Sequence, residues 1–524
     1  MKSNPILLSG PGFRARALPL LVSSGRRATG AVTSAILLAV LLIPFAPGCA
    51  RWPAVGPDYQ KPVTAIPSDY KSAENGDWKI GQALDNLPKG NWWELFGDPQ
   101  LNALESQALQ ANQQLSAAVA RVDQARATAR VARSEFLPAV DFAPSYQRER
   151  YSPNEVPNFG NVTASTFSTP VDLSYEVDLW GRVRRNFESA RADTQASLAE
   201  FYNVLLTLNS DVAQNYFSLR SLDAEIATVA GTVALRHEQV RLVSGRFKGG
   251  VGTELQVAQA QTELATTEAE AAALAHQRDQ LENALAILAG QNPSVFKLAA
   301  LTETNWNPQP PEIPAGLPGE LLERRPDVAQ AERLLASANA RIGVAKAAFF
   351  PVVTLTGSGG FLSADVSTLF SWESRVWTFG PGVSLPLFSG GRNQANYLRS
   401  QAAYQETLAN YRQQVLVAFG DVENSLSDIR HLADQSEAQA RAVQNARRAT
   451  ALATGQYRAG IVSYIEVVDA SRDALTAERA NAQLAGQRLI AAVQLIKTLG
   501  GGWDERQIAS QPARAVSPTV PANQ

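Results

Sequence analysis

Ser174-Tyr-Glu-Val-Asp-Leu-Trp-Gly-Arg182 and Ser384-Leu-Pro-Leu-Phe-Ser-Gly-Gly-Arg392 are the same passage of chain met twice. Ser174 falls on Ser384 and Arg182 on Arg392, an offset of 210 residues. The offset also carries Asp211-Val212 onto Asp421-Val422, Arg220 onto Arg430, Gly250 onto Gly460, Glu268 onto Glu478 and Gly290 onto Gly500. No gap is needed from Ser174 to Gly290. Solenoid units repeat every 20 to 50 residues or so, so this is a duplicated domain rather than a solenoid. Each copy reads strand, long helix, tight turn, long helix.

Phe167, Thr169, Val171, Leu173, Tyr175, Val177 and Leu179 alternate with Ser168, Pro170, Asp172, Ser174, Glu176 and Asp178. Alternation over about ten residues is the pattern of a membrane β-strand. The second copy sets Trp377, Phe379, Pro381, Val383, Leu385 and Leu387 against Thr378, Gly380, Gly382, Ser384 and Pro386. A preceding strand fits Ala139–Arg150, with Val352–Ser363 as its counterpart. Tyr151, Phe167, Trp180, Phe370, Trp372 and Trp377 stand at the strand ends, as in the aromatic girdles of membrane interfaces. The other reading is a small antiparallel sheet packed on helices. Four strands cannot close a barrel, which needs about eight. As a membrane structure, the chain must share its barrel with copies of itself.

Upstream, Pro99 to Glu135 is helical and alanine-rich, and Pro138 ends it. Past each second strand a proline-free stretch runs from Arg182 to about Phe247 and from Arg392 to about Tyr457. About 60 residues at 1.5 Å each reach about 90 Å, well beyond a membrane. Asp193, Glu200, Asp211, Arg220 and Glu225 punctuate the first, so these are not spans. Both break at glycine turns, Lys248-Gly-Gly-Val-Gly-Thr253 and Arg458-Ala-Gly-Ile-Val-Ser463, and return to Ala289 and Leu499.

The N-terminus reads as a targeting segment. Five basic residues precede the apolar run Ala31–Ile43, which is too short to span about 30 Å of hydrocarbon. Then comes Pro44-Phe-Ala-Pro-Gly-Cys49, which holds the only cysteine of the chain. The favoured reading is a lipoprotein signal, residues 1–48, with Cys49 as the lipidated first residue carrying diacylglycerol and N-palmitoyl groups. Ala46 and Pro47 depart from the usual box, and Ala50 rather than Asp follows the cysteine. Removing residues 1–48 takes away five basic side chains and no acidic ones, so the net charge becomes 42 − 49 = −7. An acidic chain lacks the basic footprint of a nucleic-acid binder. Residues 49–91 read as a lipid-anchored strap, 92–290 as the first repeat, 291–317 as a proline-rich linker, 318–503 as the second repeat and 504–524 as a disordered tail.

His237, His276 and His431 are scattered along helices without a triad partner or metal spacing, and Gly500-Gly-Gly502 lacks a following lysine. No enzyme, cofactor or metal site is expected.

Several segments carry a family resemblance: Val55-Gly-Pro-Asp-Tyr59, Trp92-Trp-Glu-Leu-Phe-Gly-Asp-Pro99, Tyr175–Arg182, Leu321-Leu-Glu-Arg-Arg-Pro-Asp-Val328, Ala340–Pro351 and Tyr457–Arg472. Over roughly residues 49–503 the chain resembles the TolC-like outer-membrane efflux proteins, in their NodT-type lipoprotein subgroup. The resemblance implies a mainly α fold with membrane β, in which three chains give a 12-stranded outer-membrane barrel continued by a periplasmic α-helical barrel. It implies a passive exit duct for drugs or other small toxic compounds, in a tripartite pump with a periplasmic adaptor and an inner-membrane efflux transporter of the RND type. A type I protein-secretion channel and a lipid-anchored structural periplasmic coiled-coil protein are the competing readings.

The resemblance also assigns sites. Gly249, Gly250, Val251 and Gly252 with Ala459, Gly460, Ile461 and Val462 would be the tip where the adaptor docks. Ile465, Glu466 and Asp469 would form the periplasmic gate. Glu466 and Asp469 are three apart and share a helix face, so in a trimer they stack as six carboxylates; a solvated acidic face is the plain alternative. The first copy has Leu255, Gln256 and Gln259 there, so the second is expected to line the narrowest point. Asp172, Glu176 and Asp178 would either line the barrel lumen, biasing it toward cations, or be ordinary polar wall residues.

Overall fold

In the computed structural model the described residues are 54–63, 91–152, 162–301, 306–311, 313 and 324–503, all within the unit Pro53–Gln524. The signal segment with Cys49, most of the strap, much of the linker and the tail lie outside them.

The helical stretch from Pro99 is two helices, α1 (Pro99–Ala111) and α2 (Gln113–Ser134). The sequence reading runs them together. They divide at Asn112, whose extended backbone and side-chain oxygen cap α2 by accepting from the Gln114 and Leu115 N–H groups. Then follow β1 (Ala139–Phe142), β2 (Ser145–Arg150), β3 (Thr163–Val177), α3 (Arg182–Lys248) and α4 (Glu254–Leu288). The second half is α5 (Pro326–Ala347), β4 (Val352–Ser363), β5 (Arg375–Ser384), α6 (Arg392–Arg458) and α7 (Tyr464–Thr498).

The duplication takes in the first strands, paired in the sequence reading, and also the helices before them, α2 and α5. Gln113 to Pro326, Ser134 to Ala347, Ala139 to Val352 and Arg150 to Ser363 are each 213 apart. Beyond the loop joining the strands, the ends of α3 and α6, and of α4 and α7, are each 210 apart. The two copies differ by three residues in that loop, which hid the upstream half of the repeat from a gapless comparison.

β1 and β2 are one strand interrupted at Ala143-Pro144. Both pair antiparallel with β3 in one continuous register, Ala139 opposite Ser174 and Ser145 opposite Ser168. Proline has no N–H to give the ladder. β3 pairs with β4 and β4 with β5, giving, among the described residues, four consecutive antiparallel strands with two free edges. The registers put Val140, Phe142 and Tyr146 on the face of Phe167, Val171, Leu173 and Tyr175, and carry it on through Leu355, Phe379 and Trp377. The opposite face is mostly Ser, Thr, Gly, Gln, Asp and Glu, with Leu362 and Val376 toward the far end. Trp377 is 81% and Phe379 66% exposed, which in water would be unstable and in lipid is the expected state.

α3 and α6 are each 67 residues long, about 100 Å at 1.5 Å per residue. Shorter helices are stacked end to end beside them. The 22-residue α2 and 35-residue α4 both pack on α3, and their ends meet where Asn112 Nδ2 donates to the Leu288 carbonyl at 2.9 Å. α5 and α7 lie between α3 and α6, and meet where Arg325 Nη1 reaches the Thr498 carbonyl at 3.4 Å. Gly290 and Gly500 permit these junctions. Both have positive φ, and a Cβ on Gly500 would stand 1.8 Å from the Arg324 carbonyl oxygen. Small residues bring α3 and α5 together, with Ser189 Oγ 2.9 Å from Ser337 Oγ.

The strap crosses the two copies. The Val55 N–H donates to the Trp180 carbonyl, Asn339 Nδ2 to the Pro57 carbonyl, Arg185 pairs with Asp58 at 2.6 Å, and the Tyr59 hydroxyl donates to Glu332. Among the described residues, no helix is long and apolar enough to cross a membrane.

Glu105 on α1 is wholly buried, and neither carboxylate oxygen meets a hydrogen-bond donor. Burial pushes its pKa from 4.5 up to about 9. The folded chain therefore holds a proton that the unfolded chain releases above pH 4.5. The contribution of this one carboxyl to stability is therefore greatest below pH 4.5 and falls by about 1.4 kcal/mol per pH unit until about pH 9. Glu105→Gln should flatten this slope, so that thermal melts of the variant and parent diverge steadily from pH 5 to pH 9. Parallel melting curves over that range would show that Glu105 is ionised in the fold.

Candidate functional site: tip, gate and barrel wall

The far ends of the two hairpins are built alike. Gly250 (φ +74°) and Gly460 (φ +78°) each follow a long helix in the left-handed conformation. The Val251 N–H reaches back to the Arg246 carbonyl at 3.0 Å and the Ile461 N–H to that of Gln456 at 2.9 Å, closing Schellman turns. In such turns the residue after the glycine commonly packs back on its helix. Here Val251 is 69% and Ile461 73% exposed. Behind the turns the hairpins touch: Tyr457 packs on Tyr464 at 5.4 Å, and Arg246 lies over the Tyr457 ring at 4.8 Å and donates to its carbonyl. Val243, Ala260, Val467 and Val468 complete an apolar plug. The fold thus brings the eight tip residues, Gly249–Gly252 and Ala459–Val462, to one end of the molecule. The turns differ in one respect. Thr253 and Gln256 form a capping box on α4, whereas Ser463 makes no side-chain cap on α7.

On the first turns of α7, Tyr464, Val467 and Val468 face inward, while Ile465, Glu466 and Asp469 are exposed together on the other face. Behind that face lies a charge chain absent from the sequence reading. Asp469 is 3.8 Å from Arg472 on its own helix. Arg472 donates to Glu263 of α4, and Glu263 lies 3.3 Å from Arg236 of α3. One heptad on, Arg479 pairs with Glu225 of α3 at 2.6 Å and with Glu270 of α4. The seven-residue spacings, 263 to 270 and 472 to 479, were the available signal. The carboxylates and arginines lie in different repeats, so only the folded arrangement shows that they meet.

The three barrel carboxylates have separate surroundings. Asp172 is on the polar face, directly opposite Asp141 of β1. Glu176 is bound by Arg182 at 2.8 Å, and Arg182 also holds Glu135. Asp178 lies beyond the end of β3 and caps α3, accepting from the Val183 and Arg184 N–H groups at 3.1 and 3.0 Å. Trp180 beside it stacks on Phe350 at 4.7 Å and donates to the Pro351 carbonyl at 2.8 Å, tying the first copy to the second.

The model of the family described as "Outer membrane efflux protein" matches residues 104–291 and 317–501, one match to each copy and together more than half the chain. The chain belongs to the outer membrane efflux protein family. It is 32% identical over 459 residues to the cation efflux system protein CusC of Escherichia coli O6:H1, covering 87% of this chain and 96% of CusC. It is 30% identical to the probable outer membrane lipoprotein SilC of Salmonella typhimurium, covering 90% of this chain and 99% of SilC. The solved outer-membrane channel OprN superposes with a TM-score of 0.78 at 32% identity, covering 86% of this chain and 99% of OprN. This efflux protein is therefore an outer-membrane channel component of an efflux system, with a duplicated, mainly helical fold and a membrane sheet. The isolated periplasmic coiled-coil reading falls with that assignment.

In the charge chain, burial decides which arginine matters. Arg236 is 2% exposed and burial lowers its pKa, so without it Glu263 is left desolvated beside only the more exposed Arg472. Arg236→Ala should destabilise the fold by about 3 kcal/mol, and Arg472→Ala by about 1 kcal/mol or less. Replacing Arg236 and Glu263 together by leucine should recover most of the loss. Thermal melts of the three variants against the parent check this; equal shifts for the two single arginine variants would contradict it.

Proposed function

We propose that three copies of this efflux protein close a 12-stranded barrel and that their hairpins form the tunnel below it, an exit duct that itself does no chemistry. The observation that carries the reading is the four-stranded sheet, largely apolar on one face and, among the described residues, unpaired along two edges. Hydrocarbon offers no partner for an open edge, so the edges must meet other copies.

The exposed Val251 and Ile461 at the tip suit a periplasmic adaptor that covers apolar residues, with an inner-membrane efflux transporter of the RND type beyond it. Small toxic compounds are the cargo class. The activity in CusC's name adds cations to that class, and Asp141 opposite Asp172 on the polar face suits them.

Cys49 is the lipidated residue, as the description of SilC as a lipoprotein supports. Five residues span at most about 18 Å, so Ala54 beside Gly181 keeps the lipid close to the base of the sheet. Cys49→Ser should abolish labelling by radiolabelled palmitate; undiminished labelling would refute the assignment.

Ile465, Glu466 and Asp469 are the gate. Single trimers in planar bilayers should show low, cation-selective conductance reduced by divalent cations. Replacing Glu466 and Asp469 by alanine should weaken the divalent block and the cation preference, and adding Ile465→Ser should raise conductance. Identical traces from all three would place the gate elsewhere. Gly460→Asp should cost efflux while export and trimer formation persist, and wild-type drug resistance in that variant would argue against docking at this turn.

A further inference from the structure

The sheet has two unpaired edges, β1–β2 and β5, and apolar residues stranded beside one of them. β5 ends at Ser384 opposite Val352, the first residue of β4. Leu385, Leu387 and Phe388 follow with no strand beside them among the described residues, and Leu387 and Phe388 are 90% and 92% exposed. In the first copy the equivalent residues, Tyr175 and Val177, pair with Leu355 and Val353 of β4. The chain therefore contains one complete seam between copies, β3 against β4, and the two halves of a second.

Resting on the trimer reading above, we propose that the seam between subunits repeats the internal seam residue for residue. Adding 210 carries β3 onto β5, and subtracting 213 carries β4 onto β1–β2. Tyr175 opposite Leu355 then becomes Leu385 opposite the partner subunit's Phe142, and Val177 opposite Val353 becomes Leu387 opposite the partner subunit's Val140. Phe167 opposite Ser363 becomes Trp377 opposite the partner subunit's Arg150. Thr169 opposite Phe361 becomes Phe379 opposite the partner subunit's Arg148. Pro170 opposite Gly360 becomes Gly380 opposite the partner subunit's Gln147.

The observed side chains fit this register without having been used to derive it. A slip of one residue would set the outward-facing residues of one strand against the inward-facing residues of the other. The derived register keeps both faces intact and sets aliphatic and aromatic residues against one another toward the base of the sheet. Arg148 and Arg150 lie on the lipid face, where an uncovered charge is costly. The register covers them with Phe379 and Trp377, a cation–π arrangement. Each half of the chain also advances the strands by the same amount: Ser145 pairs with Ser168, which pairs with Leu362, and Leu362 corresponds to Glu149, four residues on. Six such halves give a barrel radius of about 16 Å at ordinary strand spacing and rise, wide enough for an open lumen.

The equivalence is confined to the barrel. Among the helices, a Cβ on Gly486 would stand 2.5 Å from Ser221 Cβ. The corresponding pair is the partner subunit's His276 and His431, whose rings cannot approach so closely, so the helical seam between subunits is wider there than the internal one.

Cysteine pairs on the lumen face test the register. After oxidation, full-length protein carrying Gly380→Cys and Gln147→Cys should give the largest share of covalent trimer on non-reducing gels. Gly380→Cys with Ser145→Cys, and Gly380→Cys with Glu149→Cys, should each give less. Thr378→Cys with Glu149→Cys tests the same register if Gly380 tolerates no side chain. A maximum at either slipped pair, or assembled trimers that none of the pairs cross-links, would overturn the proposal. A monodisperse monomer in native mass spectrometry would instead sink the trimer reading beneath it.

Discussion

A sheet with one apolar face and two free edges cannot persist in lipid as a monomer, because each edge exposes backbone N–H and C=O groups with nothing to bond. This constraint governs the rest of the molecule. The edges must be closed by copies of the same chain. Closure by rotation requires one subunit's β5 to fit the next subunit's β1–β2, and a duplicated chain meets that requirement economically, since a sequence that pairs its own halves already holds a workable register.

The helices answer a different constraint. A hairpin about 100 Å from the membrane cannot rely on the bilayer to hold it, so it is closed by its own chemistry. Near the membrane small residues bring α3 and α5 into contact, as Ser189 and Ser337 show. Toward the tip, charge takes over. Glu263 and Glu270 of the first copy are clamped by Arg472 and Arg479 of the second, one heptad apart. The rungs lie next to the exposed face of Ile465, Glu466 and Asp469, where Arg472 also approaches Asp469 at 3.8 Å.

Most of the fold was legible because its periods are long and uninterrupted. Alternation from Phe167 to Val177 and proline-free runs ending in Gly250 and Gly460 leave little choice of element, and the repeat fixes their order. The split at Asn112 was missed because an alanine-rich pattern continues across it and one capping side chain decides the break. The upstream strands were matched as Ala139–Arg150 and Val352–Ser363, but the correspondence of α2 with α5 was missed because three residues separate its offset from the downstream one. The candidate site was legible only as residue types. Glu176 and Asp178 have the right alternation for a lumen, but what surrounds them, Arg182 and the start of α3, is set by where β3 stops, which alternation does not specify.

The copies have diverged where their environments differ. At the junction of sheet and helix the first copy has Glu176, Asp178 and Trp180, which bind Arg182, cap α3 and stack on Phe350. The second has Pro386, Phe388 and Gly390 at those positions and makes none of these contacts. The internal junction is always formed, since both sides belong to one chain, and polar caps and ring stacking can lock it. A junction completed only by a second molecule must first be found, and exposed apolar residues such as Leu387 and Phe388 are suited to that, because burying them drives association without fixed geometry. Duplication supplied two equal seams; the substitutions made one a permanent hinge within the chain and the other a surface for assembly.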